Sequence, residues 1–143
     1  MVIGFIESQT VTYKFMSYTP EQLEQMARSD DWYERATVAK QGYALEQLVH
    51  DSNPLVRAEV ARRGYRPDVL IADEYWPVRT AVAEFGYGLD ELIHDDAWQV
   101  RAAVANRGYG VDVLVHDEDY CVRNIAKTYK INHTDEQVGS TDL

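Results

Sequence analysis

Hydrophobic residues recur along the chain with a period of 22, and this spacing is the strongest pattern in the sequence. Valine recurs at Val38, Val60, Val82 and Val104, and leucine recurs at Leu48, Leu70, Leu92 and Leu114. Polar positions keep the same period, with aspartate at Asp51, Asp73, Asp95 and Asp117, and glycine–tyrosine pairs at 42–43, 64–65, 86–87 and 108–109. Because several residue types share one period without an insertion, the pattern predicts an array of repeated structural units.

A single unit, residues 51–72, predicts two helical elements. Asn53 and Pro54 favour a helix start, because asparagine caps the first N–H groups and proline fits the first turn. Gly64 is expected to end this helix, since glycine readily adopts the left-handed conformation that closes many helices. The following segment, Pro67 to Ala72, is short enough to be either an α-helix or a 3₁₀-helix.

No unit of this size can bury its apolar side alone, so neighbouring units must stack to form a shared core. The pattern therefore predicts an all-α fold, a solenoid of about five 22-residue repeats. The array covers residues 19–131, with a half-repeat at 19–28 and units that begin at 29, 51, 73, 95 and 117. An aromatic position within the period, expected at the outer end of the stack, is occupied by Trp32, Trp76, Trp98 and Tyr120.

The two ends of the chain depart from the repeat. Within residues 1–18, apolar and polar residues alternate from Val11 to Phe15, which is typical of a β-strand and predicts a hairpin with Ile3 to Ile6. This hairpin is expected to cap the first repeat, or alternatively to join two copies, which leaves a monomer or a homodimer through residues 1–18. At the other end, residues 132–143 are polar and are expected to form a loose tail.

The segment from Asp95 to Asn106 reads Asp-x-x-Trp-x-Val-Arg-x-x-Val-Ala-Asn and resembles the leucine-rich repeat variant family, whose repeats begin with Asp-x-x-Trp-x-Val-Arg-x-x-Val-Ala-x-Asn. The resemblance implies α-helices that alternate with 3₁₀-helices in a right-handed superhelix, related in outline to HEAT-type solenoids. This chain has a shorter period than that family and a single cysteine, Cys121, so the iron–sulfur cluster of one family member is not implied. The family shares an architecture rather than an activity, and it supplies no function.

Charge and composition narrow the classes of partner. The formal net charge is −10, from 24 acidic and 14 basic residues. Such a chain repels nucleic acid at long range and attracts a protein with a basic surface, so direct nucleic-acid binding is disfavoured. The sequence lacks the long apolar run of a membrane helix and the pattern of a signal peptide, and we expect a cytoplasmic protein without a membrane partner.

A row of arginines is the first candidate surface, and it consists of Arg35, Arg57, Arg79, Arg101 and Arg123. Guanidinium groups in a row can hold phosphates or the carboxylates of an acidic peptide. Each arginine also lies six residues after the recurrent aspartate or its equivalent, so the arginines can instead pair with aspartates along the stack. We favour this structural ladder over a binding row.

Other chemistry-bearing residues also follow the period. His50, His94 and His116 share a position, but neighbouring helices lie about 8–10 Å apart, too far for two imidazoles to share one ion. Carboxylates recur at Asp73, Glu74, Asp95 and Asp96, near the helix starts, where the helix dipole favours negative charge. No nucleophile–base motif or phosphate loop is present. We therefore expect no enzyme activity, no cofactor and no metal.

The sequence favours a non-catalytic protein–protein interaction module that uses a solenoid surface. Its candidate binding residues are a variable row, Lys40, Arg62, Glu84 and Asn106, and the carboxylates Asp73, Glu74, Asp95 and Asp96. An alternative is an acidic inhibitor of a nucleic-acid-binding or defence nuclease, of the DNA-mimic or anti-CRISPR kind, in which spaced carboxylates imitate phosphates. A second alternative is nucleic-acid binding through the arginine row.

Overall fold

The structure, a computed structural model, describes residues 17–138, and in this range every regular element is an α-helix. Five longer helices are α1 (Pro20–Ala27), α2 (Trp32–Lys40), α4 (Pro54–Arg62), α6 (Trp76–Phe85) and α8 (Trp98–Asn106). Four short helices are α3 (Leu45–Leu48), α5 (Pro67–Leu70), α7 (Leu89–Leu92) and α9 (Val111–Leu114). The final helix, α10, spans Tyr120–Val138. The predicted all-α class is confirmed, and the predicted hairpin falls on residues that lie outside the described range.

The helices pack mainly against their neighbours in sequence, as expected for a helical repeat. Each long helix from α2 to α10 contacts the next long helix, and each short helix contacts the long helices before and after it. The recurrent valines and leucines form the core, and all of them are at most 2% exposed: Val38, Val60, Val82, Val104, Leu48, Leu70, Leu92 and Leu114. Small side chains beside them, such as Ala61, Ala83 and Ala105, are also fully buried and allow the long helices to lie close together.

Local signals place the helix boundaries. The side chains of Asp31 and Asn53 accept hydrogen bonds from the N–H groups of Tyr33 and Leu55 at the starts of α2 and α4. Each short helix begins directly after a residue in the left-handed conformation, and these residues are Ala44, Arg66, Gly88 and Gly110. The short elements are α-helical rather than 3₁₀, with four residues each.

The last helix differs from the expected loose tail, because α10 continues through residue 132 to Val138. Lys130 occupies the position that Gly108 holds one unit earlier, so the left-handed glycine that follows α2, α4, α6 and α8 is missing here. One turn later, the ring of His133 stacks on the ring of Tyr129 with centroids 3.9 Å apart. A lysine in place of a glycine therefore converts the end of the repeat into a longer helix.

Candidate functional site

The arginine row forms a series of ion pairs that join successive units. In four cases Nε and Nη2 donate to the two carboxylate oxygens of the aspartate 16 residues further on, at 2.7 Å and 2.9–3.0 Å. The pairs are Arg35–Asp51, Arg57–Asp73, Arg79–Asp95 and Arg101–Asp117. This two-point geometry is the strong form of an arginine–carboxylate interaction.

The same arginines also bind the backbone of their own unit. Arg79 Nη1 donates to the carbonyl oxygen of Asp73 at 2.7 Å, while the other edge of the guanidinium holds Asp95. Asp95 in turn accepts the N–H of Ala97 at 2.9 Å and closes the turn before α8. One arginine and one aspartate therefore connect two consecutive corners, where a corner is the turn between a short helix and the next long helix.

These pairs are largely shielded from water. The side chains of Arg101 and Asp117 are 8% and 7% exposed. The hydrogen bonds from Arg101 hold the pKa of Asp117 below its ordinary value, and those from Asp117 raise the pKa of Arg101. Burial opposes ionisation of Asp95, but the hydrogen bonds from Arg79 and Ala97 outweigh it and lower the pKa of Asp95. Asp95 and Asp117 are thus ionised at neutral pH.

The fifth arginine lacks this partner in the described part of the chain. Arg123 Nη1 donates to the carbonyl oxygens of Asp117 and Glu118, as the other arginines do in their own units. The position 16 residues further on is Gly139, which has no carboxylate. The guanidinium of Arg123 lies 5.9 Å from the centroid of the Tyr120 ring.

Two sets of the candidate residues take part in these ion pairs. Four guanidinium groups of the row already hold aspartates, so they are not available to phosphates as a binding row. Asp73 and Asp95, proposed as binding carboxylates, are bonded to Arg57 and Arg79, and their side chains are only 10% and 8% exposed. We call the four bonded carboxylates Asp51, Asp73, Asp95 and Asp117 the inner carboxylates.

The other two proposed carboxylates, Glu74 and Asp96, point away from the pairs. Both residues are exposed, and neither carboxylate bonds another residue within 17–138. The same position holds Asp30, Ser52 and Glu118 in other units, all of them exposed. We call Asp30, Glu74, Asp96 and Glu118 the outer carboxylates.

A second exposed acidic row lies along the short helices and was not predicted. It comprises Glu24 in α1 and one acid in each short helix: Glu46, Asp68, Asp90 and Asp112. Arg66 bonds Asp68 through two nitrogens at 3.1 Å, and Lys130 bonds Asp112 at 2.7 Å. The same 22-residue period that reveals the other rows contains this one, so the sequence carried a usable signal.

The variable row of the sequence prediction lies near the ends of the long helices. All four members are exposed, namely Lys40, Arg62, Glu84 and Asn106. Arg62 brings two of these positions together, because its Nε donates to Glu84 at 3.0 Å, and its Nη1 bonds Glu59 at 2.8 Å. At the first two positions, Lys40 and Arg62 border a groove of about 550 Å³ that also includes Trp32 and Leu55.

Exposed aromatic rings stand beside the outer carboxylates. Trp32, Trp76 and Trp98 are each the first residue of a long helix, and Trp98 is 41% exposed. An outer carboxylate precedes each of these rings by two residues. Between two corners, a groove of about 280 Å³ is lined by Asp96, Trp98, Arg101, Glu118 and Asp119.

The remaining chemistry-bearing residues form no cluster in the range that the structure covers. His50, His94 and His116 are exposed, and so is Cys121. Across residues 17–138, no three His, Cys, Asp or Glu side chains are arranged to hold a metal ion. Among the described helices, none has the length and apolar character that crossing a membrane requires.

The chain was compared with protein families, curated proteins and solved structures, and none of them matches it.

Proposed function

We propose that this chain is a non-catalytic interaction module that binds a protein with a basic surface. In this proposal the units form a right-handed solenoid of about five 22-residue repeats, similar to the leucine-rich repeat variant architecture. Solenoids offer extended surfaces whose residues recur at fixed spacing, which suits recognition of an elongated or broad partner.

The separation of charges carries the proposal. Four arginines of the ladder neutralise the four inner carboxylates, so four of the chain's 14 basic residues are directed into the array rather than toward solvent. The outer carboxylates and the acidic row of the short helices remain exposed. Each of these four ion pairs has no net charge, so the remaining charged groups of the chain carry the whole net charge of −10. Such an acidic surface accelerates association with a basic partner and disfavours acidic ones.

Specificity is supplied by positions that differ between units. The variable row changes from Lys40 to Arg62, Glu84 and Asn106 along the array, although the core beneath it is nearly identical. Buried positions must keep their size and polarity, whereas these exposed positions are free to match one particular partner.

The experiment is affinity capture with the immobilised chain, in low and in physiological salt. Expected partners are basic proteins that are released by salt and by an excess of polyarginine, because exposed charges are screened. The control is a variant with all four outer carboxylates converted to amides, which should keep its melting temperature and lose capture. If captured proteins were indifferent to salt and to this variant, the proposal would be rejected.

A second candidate is an acidic inhibitor that occupies the nucleic-acid channel of a nuclease. The observation that favours it is the recurrence of one outer carboxylate and one short-helix carboxylate in most units, which provides regularly spaced negative charge. Such an inhibitor would compete with DNA for a basic nuclease in a salt-sensitive manner. Cleavage that proceeds unchanged with an excess of this chain, across a panel of basic nucleases, would exclude this candidate.

A further inference from the structure

The groove between the last two corners combines an aromatic ring with three carboxylates and a single arginine. Its walls are formed by Trp98, with Asp96 two residues before it, and by Glu118 and Asp119 of the following corner. The one cation in the lining is Arg101, which is bonded to the inner carboxylate Asp117 and also approaches Glu118, with 3.5 Å between Nη2 and Oε1. The groove is therefore strongly negative around a ring that is 41% exposed.

The same combination of groups already holds one arginine of this protein, and a second arginine has the aromatic contact alone. Arg57 bonds Asp73 while its guanidinium carbon lies 5.6 Å from the centroid of the Tyr75 ring. Arg123 lies 5.9 Å from the ring of Tyr120. A guanidinium group gains from both contacts, because it pairs with carboxylates through its edge and with aromatic rings through its face. Across the described part of the chain, no cation lies over the ring of Trp98.

The residue types of the groove also occur 22 residues earlier. Glu74, Trp76 and Arg79 stand in place of Asp96, Trp98 and Arg101, and Asp96 takes the place of Glu118. Asp96 is thus the shared position between two successive sites. The preceding unit has Pro54 at the ring position, and the unit of Trp32 has Ser52 in place of the second outer carboxylate, so a tryptophan with outer carboxylates on both sides occurs only at these neighbouring corners.

We propose that these two corners bind two arginine side chains of one extended segment of the partner protein. This inference rests on the proposed function and names the site and the chemistry of the partner. Each guanidinium lies against one tryptophan, Trp76 or Trp98, and pairs with the outer carboxylates on both sides. Lysine fits less well, because its ammonium group has neither the planar face nor the two-point edge.

The repeat spacing defines the spacing of the arginines. Neighbouring packed helices are separated by about 8–10 Å. A polyproline II segment advances about 3.1 Å per residue and has three residues per turn, so side chains three residues apart share a face about 9 Å apart. In a β-strand, residues that share a face are two apart and only about 7 Å from each other. The segment therefore carries arginines at positions i and i+3 in a polyproline II conformation.

The test uses two synthetic peptides of equal charge and composition. One repeats arginine-proline-proline, and the other groups all its arginines at one end. Binding is measured by calorimetry and by tryptophan fluorescence with the full chain. We expect the spaced peptide to bind about tenfold more tightly than the grouped one, because only it fills both sites. Equal affinity for the two peptides would overturn the proposed spacing.

Two variants with the same charge change locate the site. Asp96→Asn removes the carboxylate shared by both corners and should weaken the spaced peptide about tenfold, as expected for loss of charge-assisted bonds. Asp90→Asn alters an exposed acid of the short helix α7, six residues before Asp96, and should change affinity by less than about twofold. If both variants weakened binding equally, general electrostatic attraction would explain the result and the site would be rejected.

Fluorescence gives an independent readout of position. The spaced peptide should change the emission of the wild-type chain, and Trp98→Phe should remove a large part of that change. A change that is the same in Trp98→Phe would contradict the assignment.

If the peptide fails to bind but basic proteins are still captured through the outer carboxylates, only this inference falls. If no basic protein is captured at all, the proposed function falls as well.

Discussion

Inner and outer carboxylates are adjacent in sequence and have opposite environments, as Asp95 and Asp96 show. Asp95 is 8% exposed, accepts two hydrogen bonds from Arg79 and closes the turn before α8. Asp96 is exposed, and no described residue bonds its carboxylate. The difference arises because the guanidinium from the preceding unit reaches only one of the two positions. The carboxylate of Asp95 therefore helps to hold two units together, whereas the carboxylate of Asp96 is available to a partner protein.

The comparison also explains how an acidic chain can stack its units closely. Each inner carboxylate arrives at the interface together with a cation of the preceding unit, so the interior of the array carries no uncompensated negative charge. Repulsion is confined to exposed acids, where water and salt screen it. The array can therefore be strongly acidic outside without losing contact between units.

The largest effect is expected when an inner pair is broken. Arg79→Ala leaves the carboxylate of Asp95 shielded and without its cation, and should lower the free energy of unfolding by about 3 kcal/mol. The matched control is Arg62→Ala, whose side chain is 42% exposed and pairs with Glu59 and Glu84. Chemical denaturation of both variants would reveal the difference. Equal losses in the two variants would show that the inner pairs are no more important than surface pairs.

A second prediction strains the same junction between units without changing any charge. A Cβ at Gly88 would overlap Cδ1 of Ile71, and Gly88 has a positive φ of 61°. Gly88→Ala should therefore cost about 2 kcal/mol of stability through overpacking and backbone strain. The corresponding residues Ala44 and Arg66 do carry a Cβ, and the residues in the place of Ile71 are there smaller, Ala27 and Val49 respectively.

This pattern predicts a compensating change. Ile71→Val removes the overlapping methyl group, so the double variant with Gly88→Ala should be more stable than the sum of the two single effects allows. A thermodynamic cycle over the four proteins measures this coupling. Strictly additive free energies would contradict the proposed contact, and the pair Gly110 and Ile93 offers an independent repeat of the test.

Acid should weaken the inner pairs selectively. The pKa values of Asp95 and Asp117 are lowered in the folded state, so the stability that these groups add is present above the ordinary aspartate value of about 4. It is lost as the pH falls through the lower folded values, because protonated carboxylates no longer attract the arginines. Denaturation across this acid range should show a shallower loss in Asp117→Asn than in the wild type. An identical loss in both proteins would argue against the pair as its source.

The smallest effect is expected for an exposed pair of the same length. Lys130 and Asp112 are 2.7 Å apart, as are Arg101 and Asp117, but the side chains of the former are 45% and 83% exposed. Asp112→Asn should leave the melting temperature unchanged, because exposed pairs contribute little to stability. A loss that matches Asp117→Asn would show that distance, rather than burial, determines the strength of these pairs.

Much of the ladder could be predicted from the sequence, but not its connectivity. The shared period of arginine and aspartate indicated pairing along the stack. It did not show that the side chain of Arg79 has two partners, the carboxylate of Asp95 in the next unit and the backbone carbonyl of Asp73 in its own unit. The partners of each arginine depend on how consecutive corners are placed in space, and the spacing of residues along the sequence does not give that information.

The candidate surface was less predictable for a similar reason. Glu74 and Asp96 were grouped with Asp73 and Asp95, because consecutive residues in a turn share their sequence context even when their side chains diverge. The extension of α10 could be predicted in principle, since Lys130 replaces the glycine that follows α2, α4, α6 and α8. A lysine at this position predicts that the helix continues, and therefore that the final helix extends beyond residue 131.

The most direct test of the account measures stability and binding together in Asp95→Asn and Asp96→Asn. These variants make the same chemical change at neighbouring residues. We predict that Asp95→Asn lowers the free energy of unfolding by about 2 kcal/mol, whereas Asp96→Asn keeps the wild-type stability and binds the spaced arginine peptide about tenfold more weakly. Two variants that lose stability equally, or that both bind the peptide as the wild type does, would contradict the division of roles between inner and outer carboxylates.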